Sequence, residues 1–410
     1  MTPRERITAA INHRESDRVP VDISGTKLTG IHVDEYVELT RSLGMDFGPP
    51  KVFDHYQMLA RADDLMHRYF GSDVIELENI DETWWGIENK DWKPWTTGAG
   101  NSVLVPGGFS PLEDADGTLT IYNKDGKAAA SMPKNGFYFD RIAETGFTDD
   151  TPLMSTEEWY TKSRPLYTDE HLRLLEKRAK FLHDYTDYAV AGGFNKFTAT
   201  SSTGYGGQTF TNWLCLLLTE EEYCAEMIDA AARRAVENLK LYLDAVGSYI
   251  DIITVSTTDY GTQKAELFSP DIFERIYKPA IKLINDYIHG TSGAKTFYHS
   301  CGSIFNIIEH MIEAGVDIIN PVQTSADNMD PVKLKNEFGK KVTFWGGGVE
   351  AQTTLMFGTP EEVREQVRER ISIFAPGGGF VFAPTHNIQC KIPLGNLIAM
   401  IEEIKRPGFA

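Results

Sequence analysis

Cysteine is scarce in this chain: there are four in 410 residues, Cys215, Cys224, Cys301 and Cys390. Four thiols spread over that length make no disulfide framework of the kind that staples small secreted domains. The expectation is reduced thiols in the cytoplasm, each either packed in the core or used for chemistry. Basic residues are also in deficit, 40 Lys and Arg against 59 Asp and Glu, for a formal net charge of -19. That balance argues against a nucleic-acid-binding surface and against an anchor on an anionic membrane. No apolar run reaches the roughly 18 residues of a membrane-spanning helix. The opening stretch "MTPRERITAAINHRESDRVPVDIS" lacks the apolar core and small-residue cleavage site of a secretory signal. Missing too is a G-x-G-x-x-G fingerprint between a strand and a helix. The glycine-rich "WGGGVE" and "PGGGFVF" do not have its spacing, which makes a dinucleotide-binding open sheet the secondary alternative.

What is present is alternation. "TPRERITAAINH" reads as an amphipathic helix with Thr2 as N-cap and Pro3 in the first turn. A strand "RVPVDIS", a helix in "GIHVDEYVELTRSLG", a second helix around "DHYQMLARADDLMHRYFG" and a strand "DVIELE" follow. The pattern then breaks over residues 80–140, where Asp-Gly and Pro-Gly turn signals separate short β-prone runs such as "TLTIYN". This stretch reads as a β-hairpin-rich insertion. Its four tryptophans, Trp84, Trp85, Trp92 and Trp95, supply a small core of its own. From "YAVAGG" onward, apolar strands ("DIITVS", "AKTFYHS", "VDIINPV", "KVTFWGG", "GFVFAPT") each precede a helical stretch. Continuous apolar runs suit a parallel sheet covered on both faces. Counted over the whole chain, seven or eight strand-helix units predict an α/β fold, a (β/α)8 TIM barrel, with residues 1–410 as a single domain carrying the 80–140 insertion.

In such a barrel the active site is built from the loops that leave the C-terminal ends of the strands. Just past the predicted strands stand Asp259 and Tyr260, His299 and Cys301, Asn320 and Gln323, Glu350, then His386 and Cys390. His299, Cys301 and Cys390, distant in sequence, are expected on one rim. Imidazole and thiolates with an open fourth position are the donor set of a catalytic zinc. Cys215 and Cys224 lie within helical stretches and read as packed residues. Asp259 is a candidate catalytic carboxylate, or the start of an Asx turn before Gly261. Glu350 is a candidate catalytic group or fourth metal ligand, or a solvated carboxylate opening its loop. Tyr260, Gln263 and Gln323 are candidates for contact with substrate, and His386 for support of the metal ligands.

These residues carry a resemblance. "TPRERITAAINHRESDRVPV", "DYGTQKAELFSPDIFERIYKP", "FYHSCGSI", "GVDIINPVQ", "TFWGGGVEAQTTLMFGTPEEV" and "GGGFVFAPTHNIQCKIPLGNLIAMIE" together resemble the uroporphyrinogen decarboxylase superfamily, over nearly the whole chain outside the insertion. Its decarboxylase branch has an arginine-rich stretch soon after the first strand, whereas "VPVDISGTKLTGIHVDEYVEL" contains no arginine. The resemblance therefore implies the zinc-dependent branch, with metal on His299, Cys301 and Cys390. Members of that branch exchange a methyl group with the cobalt of a corrinoid protein. No D-x-H-x-x-G corrinoid motif occurs in this chain, so the corrinoid (cobalamin) is expected on a partner protein. The other partner is a small-molecule methyl donor or acceptor. A methoxyaromatic undergoing O-demethylation is the favoured case because of the tryptophans, and a homodimer is the candidate assembly. The competing readings are a metal-free decarboxylase with Asp259 as its charged pivot, and a tetrapyrrole- or corrinoid-binding barrel without turnover.

Overall fold

Seven of the predicted apolar runs become parallel strands in the computed structural model, which describes residues 1–77, 84–123, 126–142, 152–162, 165–193 and 199–406. We number the barrel strands from an extended segment, β1 (residues 20–22). There follow β2 (Val74–Leu77), β3 (Ala189–Gly192), β4 (Ile252–Thr257), β5 (Lys295–His299), β6 (Ile318–Asn320), β7 (Thr343–Trp345) and β8 (Phe380–Val381). Strands β2 to β8 pair in chain order, every pair parallel.

The predicted strand "RVPVDIS" closes the ring. Val21 bridges Phe382 in parallel, with Phe382 N–H donating to the Pro20 carbonyl and Asp22 N–H to the Phe382 carbonyl. On the other side Asp73 N–H donates to the Val21 carbonyl. β1 is irregular for a chemical reason: Pro20 has no N–H, and the amides of Val21 and Ile23 are taken by the side chains of Asp73 and Ser72. The expected TIM-barrel architecture is thus present.

Inside the ring, Val74, Ala189, Ala191, Ile252, Phe297, Ile318, Trp345 and Val381 form a buried core, with the Phe297 and Trp345 rings edge-on at 5.4 Å. The first helix, Pro3–Ile11, plugs one end with Ile7, Ala10 and Ile11. Its start is fixed by Thr2, the predicted N-cap, which the structure shows to be part of a capping box closed by Glu5. A larger apolar layer lies between the outer face of the strands and the surrounding helices.

The insertion is β-rich as expected. It contains a two-stranded antiparallel ribbon (Lys93–Thr96 with Ser102–Val105) and a four-stranded antiparallel sheet running from Leu112–Glu113 to Asp140–Arg141. Trp85 and Trp95 pack against Phe139 and Phe109, and Trp85 reaches His55. Trp92 instead lies beneath the cations of Lys51 and Arg61, and the side chain of Trp84 falls outside the described residues. One expectation fails. Residues 54–71 are not a single helix: Val52–Asp54 and Leu59–Ala60 form an antiparallel pair, and only Asp64–Phe70 is helical. Asp54 turns the chain by accepting the amides of Tyr56 and Gln57, and Asp63 then caps a new helix. No helix among the described residues is long and apolar enough to cross a membrane.

Candidate metal centre

Side chains alternate along a strand, so a residue two places beyond an inward-facing one also faces inward. Phe297 and Ile318 belong to the inner core; two residues on, at the C-terminal ends of β5 and β6, stand His299 and Asn320, which are register partners. Asn320 fixes the histidine. Its Nδ2 donates to the Trp345 carbonyl at 2.9 Å, which leaves its Oδ1 to accept His299 Nδ1–H at 2.7 Å. The imidazole is thereby held with Nε2 unprotonated.

That nitrogen faces Cys301 Sγ at 3.5 Å and Asp259 Oδ1 at 3.7 Å. The ligand-type atoms of Asp259, His299 and Cys301 all lie within 4.8 Å of one another. Asp259 is anchored at the same time, since its Oδ1 accepts the Cys301 amide at 2.8 Å. Burial, and then the charge of Asp259, push the Cys301 thiol well above its usual range. Deprotonating a buried thiol beside a carboxylate is unfavourable without a cation and becomes favourable with one, because a divalent ion holds the deprotonated sulfur. Nitrogen, sulfur and oxygen donors at this spacing, with the other imidazole nitrogen donating to a fixed acceptor, fit zinc.

The Cys301 loop is built around a glycine and two glutamines. Gly302 adopts φ +89°, and a Cβ there would meet the Gly261 backbone at 2.5 Å. Gln323 accepts the Gly302 amide through Oε1 at 2.8 Å and donates from Nε2 to Gln263, which in turn donates to the Ser325 carbonyl. In this structure the predicted substrate-contacting Gln263 and Gln323 brace the ligand loop. Tyr260 is fully buried beneath it, with its hydroxyl on the Thr200 carbonyl. Glu350 is buried as well, and it fastens Thr324 and the Ser325 amide. It belongs to neither of the metal-type groups among the described residues.

Cys390 is carried elsewhere. After β8 the chain pairs along the loop that follows β1: Ile388 N–H donates to the Gly30 carbonyl, and His32 N–H to the Ile388 carbonyl. The Cys390 thiol consequently groups with His32 and Asp34, their ligand atoms within 4.8 Å of one another. Burial, then Glu35 and Asp34, push this thiol up to about 12. His386, four residues earlier, is the β8-loop residue that feels His299 and Asp259. Burial and then the charge of His299 push its imidazole down to about 4, so it is neutral. The two histidines and the carboxylate at the ends of β4, β5 and β8 thus share one mouth. Cys224 is buried in the helix Glu221–Val246, as expected; Cys215, on the helix Phe210–Thr219, is exposed.

His32, Asp34 and Glu35 were not among the residues singled out from sequence, although "IHVDE", in the loop and helix start that follow the first strand, carried the signal. Nor was Asp22, a fully buried carboxylate that receives Trp345 Nε1–H, Thr26, Thr29 and the Gly25 amide at the end of β1.

Comparison with known proteins agrees with the fold. The family model described as uroporphyrinogen decarboxylase (URO-D) matches residues 189–407, just over half the chain. A uroporphyrinogen decarboxylase of Magnetococcus marinus is 21% identical over 188 residues, which cover 43% of this chain and 50% of the relative. The match thus spans half the length of that relative. A solved structure of a methyltransferase from Methanosarcina mazei aligns over 98% of both chains with a TM-score of 0.53 at 18% identity, a likeness of fold.

Proposed function

The chain belongs to the uroporphyrinogen decarboxylase family, and within it we propose a zinc-dependent methyltransferase that exchanges a methyl group between a small molecule and the cobalt of a partner corrinoid protein. The observation that carries this reading is the unprotonated His299 Nε2 facing Cys301 Sγ and Asp259 Oδ1 at the strand ends. Zinc bound there supplies Lewis acidity, stabilising a substrate thiolate or polarising an ether oxygen at neutral pH. His299, Cys301 and Asp259 would hold it and leave one position for the substrate heteroatom.

The residues around this group have separate tasks. Asn320 keeps the imidazole in the ligating tautomer, and Gln323 and Gln263 keep the Cys301 loop in place. The neutral His386 ring borders the mouth without adding positive charge. In this reading the corrinoid is carried to the mouth by a separate partner protein. A methoxyaromatic donor is the favoured small molecule, and the protein works in the cytoplasm.

The test is methyl transfer followed by the visible spectrum of a partner corrinoid protein, against methoxyaromatics, methylamines and thiols. The proposal expects transfer with one of these classes, its loss on treatment with a zinc chelator, and its return with zinc. Purified protein that contains no zinc and releases carbon dioxide from a polycarboxylate substrate would identify the decarboxylase reading instead.

A further inference from the structure

Away from the His299 group, a second set of ligand-type side chains stands where the loops after β1 and β8 meet. His32 caps the helix Val33–Ser42, Asp34 lies in its first turn, and Cys390 comes from the loop after β8. All three are buried, and their ligand atoms lie within 4.8 Å of one another. Nε2 of the histidine meets the Phe137 carbonyl at 2.8 Å, which fixes the proton there and puts the ring's lone pair on Nδ1, 3.8 Å from Asp34 Oδ2. Nδ1 accepts the Asp34 amide at 3.2 Å, the hydrogen bond by which His32 caps the helix, so a metal ion bound at Nδ1 would take the place of that cap.

The local charge is unbalanced. Asp34 Oδ1 accepts Thr97 Oγ1–H at 2.6 Å and Asn101 Nδ2–H at 2.8 Å, which leaves Oδ2 toward His32 at 3.8 Å. Glu35, 2% exposed, takes the Lys391 amide on Oε1, while its Oε2 is buried without a partner. Among the described residues no lysine or arginine forms an ion pair with Asp34 or Glu35. Lys391 instead places its Nζ over the Phe137 ring, 4.5 Å from the centroid. Two buried carboxyl groups without a paired cation are costly to ionise unless a metal ion supplies the charge, and burial accordingly raises Glu35 to about 7.

We propose that His32, Asp34 and Cys390 form a second zinc site, and that this site staples the hairpin insertion to the barrel mouth. The groups that orient the ligands belong to the insertion: Phe137 holds His32, and Thr97 and Asn101 hold Asp34. The two sites are independent, so either can exist without the other.

Zinc per chain, measured by elemental analysis on the full-length protein after exposure to zinc alone and desalting, decides the matter. The expected values are two for the wild type, and one for each of Cys390→Ala, Asp34→Asn and Cys301→Ala. The near-isosteric Asp34→Asn keeps the test valid if Cys390→Ala folds poorly. Asn101→Ala should weaken binding of the second zinc by roughly tenfold. Limited proteolysis should cut the insertion faster in Asp34→Asn than in Cys301→Ala. A single zinc lost equally in Cys301→Ala and Cys390→Ala would mean one shared site and overturn the proposal, as would full zinc retention in both Cys390→Ala and Asp34→Asn. A single zinc lost in Cys390→Ala but kept in Cys301→Ala would uphold the second site and refute the methyltransferase reading.

Discussion

Which nitrogen of His299 is free is decided by a neutral residue, Asn320. Because its amide nitrogen is committed to the Trp345 carbonyl, only its oxygen is available to the imidazole. Leucine at position 320 keeps the volume and removes the acceptor, so the ring is no longer held in one tautomer. Asn320→Leu should lower zinc affinity at the His299 group by roughly 10- to 100-fold, measured by competition with a chromophoric chelator, while the circular dichroism spectrum stays that of the wild type. An unchanged affinity would show that the Asn320 hydrogen bond does not orient the ligand. From sequence, His299 and Cys301 were legible as ligand types at a strand end. Asp259 and His386, named from sequence for other roles, stand next to them, while the expected third ligand, Cys390, groups with His32 and Asp34. The reason is a main-chain pairing, Ile388 with Gly30, which moves residue 390 over the β1 loop and which no residue pattern announces.

Loops rather than strands decide where the chemistry-bearing residues stand. Gly302 is the clearest case, since a side chain there meets Gly261 backbone at 2.5 Å and the φ of +89° suits glycine alone. Gly302→Ala should cost about 1–3 kcal/mol of stability through backbone strain and displace Cys301. The measurements are a urea titration and zinc content, and a variant with wild-type values for both would refute the packing described here. The strand-helix units of the second half were read correctly because long periodic helices and apolar runs are strong signals. The helix expected across residues 54–71 was not, because Asp54 and Asp63 interrupt it through local side-chain hydrogen bonds. The insertion was recognisable by its turns, but its hold on the β1 loop through Thr97, Asn101 and Phe137 is a tertiary fact.

The barrel as a whole is tied together by buried acids. At the N-terminal ends of β5 and β6, Asp317 accepts from His289, Lys295 and the Thr296 amide. Burial raises its carboxyl, but these hydrogen bonds outweigh burial and hold it at about 2, against 3.8 for the free group. A depressed carboxylate stabilises the fold above its unfolded pKa, and that contribution is lost as the pH falls through the folded value. Asp317→Asn should therefore lower stability by about 2 kcal/mol at pH 7, with the gap to wild type closing as the pH drops from about 4 toward about 2. Chemical denaturation across that range checks it, and a gap that stays constant with pH would contradict the assignment.

The account as a whole rests on the mouth of the barrel being a metal-dependent methyl-transfer site. The most direct measurement is a single turnover with the partner corrinoid protein in the Co(I) state and a methoxyaromatic donor, followed spectrophotometrically for wild type and Cys301→Ala at matched protein concentration. The account predicts conversion to methyl-Co(III) by the zinc-loaded wild type and none by Cys301→Ala. Equal conversion by the two proteins would contradict it.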